Sequence, residues 1–130
     1  MIYLDTSALV KLVRHEPETE ALADWLDART ESPWVSSALI EVELPRALRR
    51  VQPELVAQAS GVLARISRYE IDDVVRAAAA AETTADLRSL DAIHLVTARD
   101  IFSPLIAFVA YEKRLLAIAS ASGLPVQSPG

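Results

Sequence analysis

The sequence predicts an α/β domain with a central parallel sheet, on three observations. Short apolar runs recur along the chain, at "IYL" (2–4), "WV" (34–35) and "IAFVA" (106–110). Their continuous rather than alternating apolar character marks strands covered on both faces. Segments with helical apolar spacing lie between them, and strand–helix alternation of this kind gives a sheet flanked by helices. The 130 residues suffice for one domain with one core, and residues 1–130 are read as a single domain.

Taken in order, Ile2-Tyr3-Leu4 forms the first strand and ends at a carboxylate, Asp5. Ser7 is a candidate cap for the helix "ALVKLV". Pro17 suits the first turn of a second helix, with Glu16, Glu18 and Glu20 near its positive end and Leu22, Trp25 and Leu26 as its buried stripe. Trp34-Val35 is a short strand, and Ser36 or Ser37 is placed to cap "ALIEVELPRALRR", a helix that Pro45 should bend. "PELVAQASGVLARI" (53–66) sets Leu55, Val56, Ala59, Leu63 and Ile66 at helical spacing. "RYEI" (68–71) reads as a strand, and Asp72 as the cap of an Ala-rich helix. After the polar loop "TTADLRS", Ser89 is a candidate cap for "LDAIHLVTARD", whose apolar face is marked by Leu90, Ile93 and Val96. The strand at 106–110 precedes a helix near 113–121, which Gly123 stops. Pro125-Val126 begins a last short strand.

The absence of cysteine excludes a disulfide scaffold and a thiolate metal site. No apolar run has the length of a membrane span, and "MIYLDTSALV" lacks the basic start of a signal peptide, so a cytoplasmic location without membrane association is expected. A net charge of −5 argues against a nonspecific duplex binder. It is compatible with an enzyme that gathers acids at a metal and basic residues around its rim.

The acids fall in equivalent places. Asp5 follows one predicted strand and Glu112 another, so both belong at the carboxyl edge of the sheet, where ligands bind in folds of this class. Asp91 lies in the first turn of its helix and Glu43 in the second turn of the helix after "WVSS". Each has another reading. Asp5 can cap a helix, Glu43 can pair with Arg46 or Arg50, Asp91 is favoured by the helix dipole, and Glu112 can be a solvated turn residue. The set carries the argument. Carboxylates forced together repel unless a cation compensates. An all-oxygen donor set suits Mg²⁺ or Mn²⁺, and such ions serve phosphodiester hydrolysis. His94, three residues after Asp91, reads as a hydrogen-bonded core histidine. No Asp stands two residues after Asp5, as a haloacid-dehalogenase-like phosphatase requires. The acidic pair and central Asp of a receiver domain are not visible, and no "GxxxxGK[ST]" or "GxGxxG" occurs.

With these residues in view, the chain resembles PIN domains, and specifically the VapC toxins of bacterial VapBC systems. The resemblance rests on "YLDTSALVKL" (3–12), "SSALIEVELPRAL" (36–48), "LRSLDAIHLVTA" (87–98) and "FVAYEKRLLAIASASGLPV" (108–126). It implies a three-layer α/β/α PIN-like fold and an Mg²⁺-dependent endoribonuclease, with Mn²⁺ as an alternative ion. The substrate would be tRNA, rRNA or mRNA, the assembly a homodimer, and the inhibitor a VapB-type antitoxin. It assigns Asp5 and Asp91 as primary metal ligands, with Glu43 and Glu112 completing the pocket and orienting water. Thr6 and Ser7 would support a carboxylate or a metal-bound water, and Arg46, Arg49, Arg50, Lys113 and Arg114 are candidate phosphate contacts. The last block departs from the family pattern, which has Asp at the position of Glu112 and commonly Thr at that of Ala110. That departure keeps open a second reading, a PIN domain that binds RNA or a protein without cutting. A phosphatase acting on small phosphate esters is a third.

Overall fold

The computed structural model describes residues 1–101 and 104–130. The elements run β1 (Ile2–Leu4), α1 (Thr6–Val13), α2 (Thr19–Asp27), β2 (Trp34–Ser37) and α3 (Ile40–Val51). A 3-10 segment (Pro53–Gln58) leads into α4 (Ala59–Leu63) and β3 (Ser67–Tyr69). Then come α5 (Asp73–Ala80), α6 (Ser89–Asp100), β4 (Ala107–Val109), α7 (Lys113–Ala121) and β5 (Val126–Gln127). The five strands form one parallel sheet in the order β3-β2-β1-β4-β5.

The side-chain period of two along each strand divides the core between the two faces of the sheet. Ile2 and Leu4 of β1, with Ala107 and Val109 of β4, pack with Leu9, Leu22, Leu44 and Leu48 from the helices of the first half. Tyr3 and Phe108 point the other way and pack with Leu95 of α6 and Leu115 of α7. This is the expected three-layer arrangement. β1 is central and buried at every position, so the chain leaves it at Asp5 in the middle of the sheet's carboxyl edge.

Several boundaries differ from expectation, each for a local reason. Asp5, not Ser7, caps α1, because its carboxylate accepts from the Ser7 N–H. α2 begins at Thr19 rather than Pro17, and Thr19 Oγ1 accepts from Glu16 N instead. Ser36 and Ser37 belong to β2. Ser36 Oγ donates to the Leu4 carbonyl, and only Ser37 acts near α3, accepting from Leu39 N. α3 is continuous through Pro45, its sixth residue, which lacks the N–H that would otherwise bond to the Glu41 carbonyl. Residues 53–66 do not form one helix but a 3-10 segment and a short α4. Ser89 lies inside α6, whose cap position is Arg88, with no side-chain cap bond. Leu90 is not part of the buried face of α6: it is half-exposed, and the helix buries Ala92 and His94 to Ala98. Asp72 caps α5 by accepting from Val75 N, and Gly123 stops α7 in the left-handed region at φ 89°.

Candidate metal centre

β1, α3, α6 and the β4–α7 junction deliver the acids singled out in the sequence. Asp5 is buried, at 6 % exposure. Its Oδ2 accepts from Ser7 N at 3.1 Å and Ser7 Oγ at 2.7 Å, which turns Oδ1 away from the helix and to within 3.7 Å of His94 Nε2. Ser7 Oγ also accepts from Tyr111 N at 3.0 Å. That hydroxyl therefore ties the end of β1 to the segment that follows β4, where Glu112 sits.

Glu43 is joined to neither Arg46 nor Arg50. Its Oε1 accepts from Thr6 Oγ1 at 2.7 Å and from His94 Nε2 at 2.6 Å. Burial raises its pKa, but hydrogen bonding to His94, the His94 charge and Thr6 outweigh this and hold the carboxyl below its ordinary value. Asp91 behaves in the opposite way. Burial raises its pKa first, then the charge of Asp5; the His94 charge opposes, and Glu112 and Glu43 add to the rise. Asp91 therefore feels the other three acids, and the His94 charge does not cancel them.

Glu112 is used differently from the other three. It is exposed and caps α7, with Oε1 accepting from Arg114 N at 3.2 Å and Oε2 from Leu115 N at 2.7 Å. It influences Asp91 through its charge while both its oxygens serve the helix end. Among the described residues no three His, Asp or Glu side chains stand close enough together to hold an ion.

The donor chemistry, carboxylate oxygen alone, is of the kind that hard cations take. Asp5, Glu43 and Asp91 bring carboxylate oxygens from three elements to one edge; among the described residues Asp5 and Glu43 have only His94 as an ion-pair partner, and Asp91 has none. A divalent ion would supply the positive charge that Asp91 lacks.

His94 has the hydrogen bonds expected of a core histidine, and they make it part of the site. It is buried between Tyr3, whose hydroxyl lies 2.7 Å from Nδ1, and Glu43. Burial lowers its pKa, but the hydrogen bond to Glu43 and the charges of Asp5, Glu43 and Asp91 raise it overall. Tyr3 had not been singled out. Its signal was the period of two, which places it on the same side of β1 as Asp5.

The basic rim divides in two. Arg46, Arg49 and Arg50 of α3 are exposed and line a groove of about 550 Å³ with Thr6, Glu43, Leu39, Val42, Ala47 and Leu90. Lys113 and Arg114 lie at the start of α7, outside that groove, and Arg114 Nη1 donates to the Asp86 carbonyl at 3.3 Å. Asp86 holds a positive φ of 66°.

A parallel sheet with acids gathered at its central carboxyl edge defines a class of α/β domain, and a family match makes it specific. Residues 2–119 match the model of the PIN domain, and the chain belongs to that family. Among its relatives, it is 58% identical to Ribonuclease VapC35 of Mycobacterium tuberculosis, over 100% of this chain and 98% of that protein. The fold is also that of the crystal structure of Mycobacterium tuberculosis VapC20, a sarcin-ricin loop cleaving toxin. The two align with a TM-score of 0.78 at 15% identity, over 99% of this chain and 100% of the other. A second solved structure, VapBC2 from Rickettsia felis bound to a DNA fragment from its promoter, aligns with a TM-score of 0.71. Its identity is 13%, with both chains covered completely. Among the described residues no helix is long and apolar enough to cross a membrane.

Proposed function

We propose that this protein is an Mg²⁺-dependent endoribonuclease toxin of a VapBC system, acting in the cytoplasm as a homodimer, inhibiting translation and neutralised by a VapB-type antitoxin. The observation that carries the reading is the gathering of Asp5, Glu43 and Asp91 at one sheet edge, with Asp91 raised by burial and by the charges of the neighbouring acids. The 58% identity to a ribonuclease along the whole chain supports the reaction class. The likeness to VapBC2 supports an antitoxin partner.

In this reading Asp5 and Asp91 would hold the cation, with Glu43 beside them. Mg²⁺ or Mn²⁺ held there would supply Lewis-acid polarisation of the scissile phosphodiester and a lower pKa for an attacking water. Glu43, kept ionised by His94 and Thr6, orients that water. Ser7 aims Oδ1 of Asp5 into the site by occupying Oδ2. Arg46, Arg49 and Arg50 take flanking phosphates along the groove.

One observation favours the second reading, binding without cleavage: both oxygens of Glu112 are committed to the α7 N-terminus. A single assay separates the two. Purified protein incubated with total RNA and Mg²⁺ is expected to cut at defined positions, and Asp5→Ala or Asp91→Ala is expected to abolish cutting. RNA binding without cutting by the unaltered protein would establish the second reading.

A further inference from the structure

We propose that His94 and Tyr3 are positioning residues that fix the carboxylate of Glu43 with one oxygen filled and the other presented to the site. The inference rests on the nuclease reading for what Glu43 faces, and on geometry for the rest. Both donors to Glu43 converge on a single oxygen: Thr6 Oγ1 at 2.7 Å and His94 Nε2 at 2.6 Å both reach Oε1. Oε2 accepts no hydrogen bond among the described residues. An ionised carboxylate has room for about four donors across two oxygens. Loading two of them on one side leaves the other oxygen as the open position.

Tyr3 holds the far side of the His94 ring in the state that Glu43 requires. A carboxylate only accepts, so the ring nitrogen facing Glu43 must carry a proton. When the ring is neutral, the Tyr3 hydroxyl donates to Nδ1 and leaves the proton on Nε2. When the ring is cationic, Nδ1–H donates to the Tyr3 oxygen and Nε2 is protonated as well. In both states Nε2–H points at Glu43.

The supports are rigid. Tyr3 is fully buried in β1, stacked on Phe108 with ring centroids 5.2 Å apart and an interplanar angle of 12°. It meets the His94 ring edge-on at 5.8 Å and 88°. The chain Tyr3–His94–Glu43 thus runs from the middle of the sheet through α6 to α3, and none of its first two members reaches a reacting atom. Groups that orient a ligand in this way contribute about 10–100-fold to metal affinity or activity.

Tyr3→Phe is the test, because it keeps the ring and its stack and removes only the hydroxyl. Circular dichroism and thermal melting first establish that the variant is folded. Calorimetric titration with Mn²⁺ is expected to show about tenfold weaker binding than in the unaltered protein. On an oligoribonucleotide that the unaltered protein cuts, kcat is expected to fall by about tenfold or more while KM moves by less than about twofold, the pattern of a lost orientation rather than lost RNA binding. In the ¹⁵N spectrum of His94, Nε2 is expected to keep its proton while its N–H resonance moves, reporting a loosened hydrogen bond to Glu43. His94→Gln, which retains a donor of similar reach, is expected to keep more Mn²⁺ affinity and kcat than His94→Leu. Wild-type Mn²⁺ affinity together with an unchanged ¹⁵N spectrum in Tyr3→Phe would overturn the inference. If the unaltered protein neither binds Mn²⁺ nor cuts RNA, the nuclease reading falls. The ¹⁵N spectrum of Tyr3→Phe then decides the positioning role alone: a moved Nε2–H resonance supports it and no change removes it.

Discussion

Asp91 and Glu43 show how one pocket drives two carboxyls apart. Burial acts on both, but Glu43 has the hydrogen bonds of His94 and Thr6 to offset it, whereas at Asp91 burial and the charges of Asp5, Glu112 and Glu43 outweigh the His94 charge. A raised acid resists ionisation, so Asp91 destabilises the metal-free fold increasingly as pH rises through its folded pKa. Asp91→Asn is therefore expected to melt higher than the unaltered protein at pH about 8 in a chelator, by a margin that shrinks toward pH about 4, while losing all cleavage. Differential scanning calorimetry across that range checks the sign. The His94–Glu43 pair has its own window. The raised His94 contributes stability below its unfolded value near 6.5 and loses it as pH rises through the folded value; the lowered Glu43 contributes above 4.5 and loses it as pH falls. The pair is therefore worth most between those two values. Glu43→Gln is expected to lower the His94 pKa in an NMR titration and to flatten the decline in stability above that window. Much of this was legible in the chain. Asp5 stands at a strand end, and Asp91 and His94 are three residues apart and so share a helix face. What spacing alone could not supply was the partner of Glu43. Arg46 and Arg50 offer near positions along the helix, whereas His94 lies 51 residues away and is brought in only by the packing of α6 on the sheet.

β1 and β4 are parallel neighbours, and each is followed by an acid that caps the next helix. The two caps differ in what they leave over. Asp5 spends Oδ2 on Ser7 and keeps Oδ1 toward the site, whereas Glu112, one methylene longer, folds back onto α7 with both oxygens. The pattern of strand then acid was readable, but the competition between capping and ion binding was not, since both use the same oxygens. Glu112→Ala is expected to destabilise the protein by about 1 kcal/mol through loss of the cap. Glu112→Asp should retain the cap and the stability, because Asp is itself a preferred cap residue. With Ala110→Thr beside it, a gain in Mn²⁺ affinity would show that the length of Glu112 keeps it out of the pocket. Denaturant titration and calorimetry read the two effects separately. The misread boundaries share this origin. Ser36, Ser89 and Pro17 carry good local signals, yet the sheet claims Ser36 for the Leu4 carbonyl, and α6 and α2 start where packing puts them. Residues 53–66 have helical apolar spacing, but that pattern does not distinguish one long helix from a 3-10 segment followed by a short α-helix.

A chain of net charge −5 binds a polyanion only if its basic residues are segregated from its acidic ones. α3 achieves this along its length: Glu41 and Glu43 lie in its first turn, and Arg49 and Arg50 in its last. That order also matches the helix dipole. The groove along α3 consequently runs from the acid site to a cluster of exposed arginines, with Val42 and Leu90 half-exposed beside it. Lys113 and Arg114 offer a second basic patch at the other side of the acids, where Arg114 is already engaged with the loop at Asp86. The two patches make different predictions for RNA. Each phosphate contact to single-stranded RNA contributes about −0.7 to the slope of log K against log salt. If the α3 groove carries the strand, Arg46→Ala with Arg50→Ala should weaken binding uniformly across sequences. The same pair should make that slope shallower by about 1.4, measured by fluorescence anisotropy in a chelator so that no cutting occurs. Lys113→Ala should then leave the slope within error of the unaltered protein. The reverse result, a slope that depends on Lys113 and not on Arg46 and Arg50, would put the RNA across the α7 N-terminus and past Glu112. In that case the α3 groove would be free for the antitoxin.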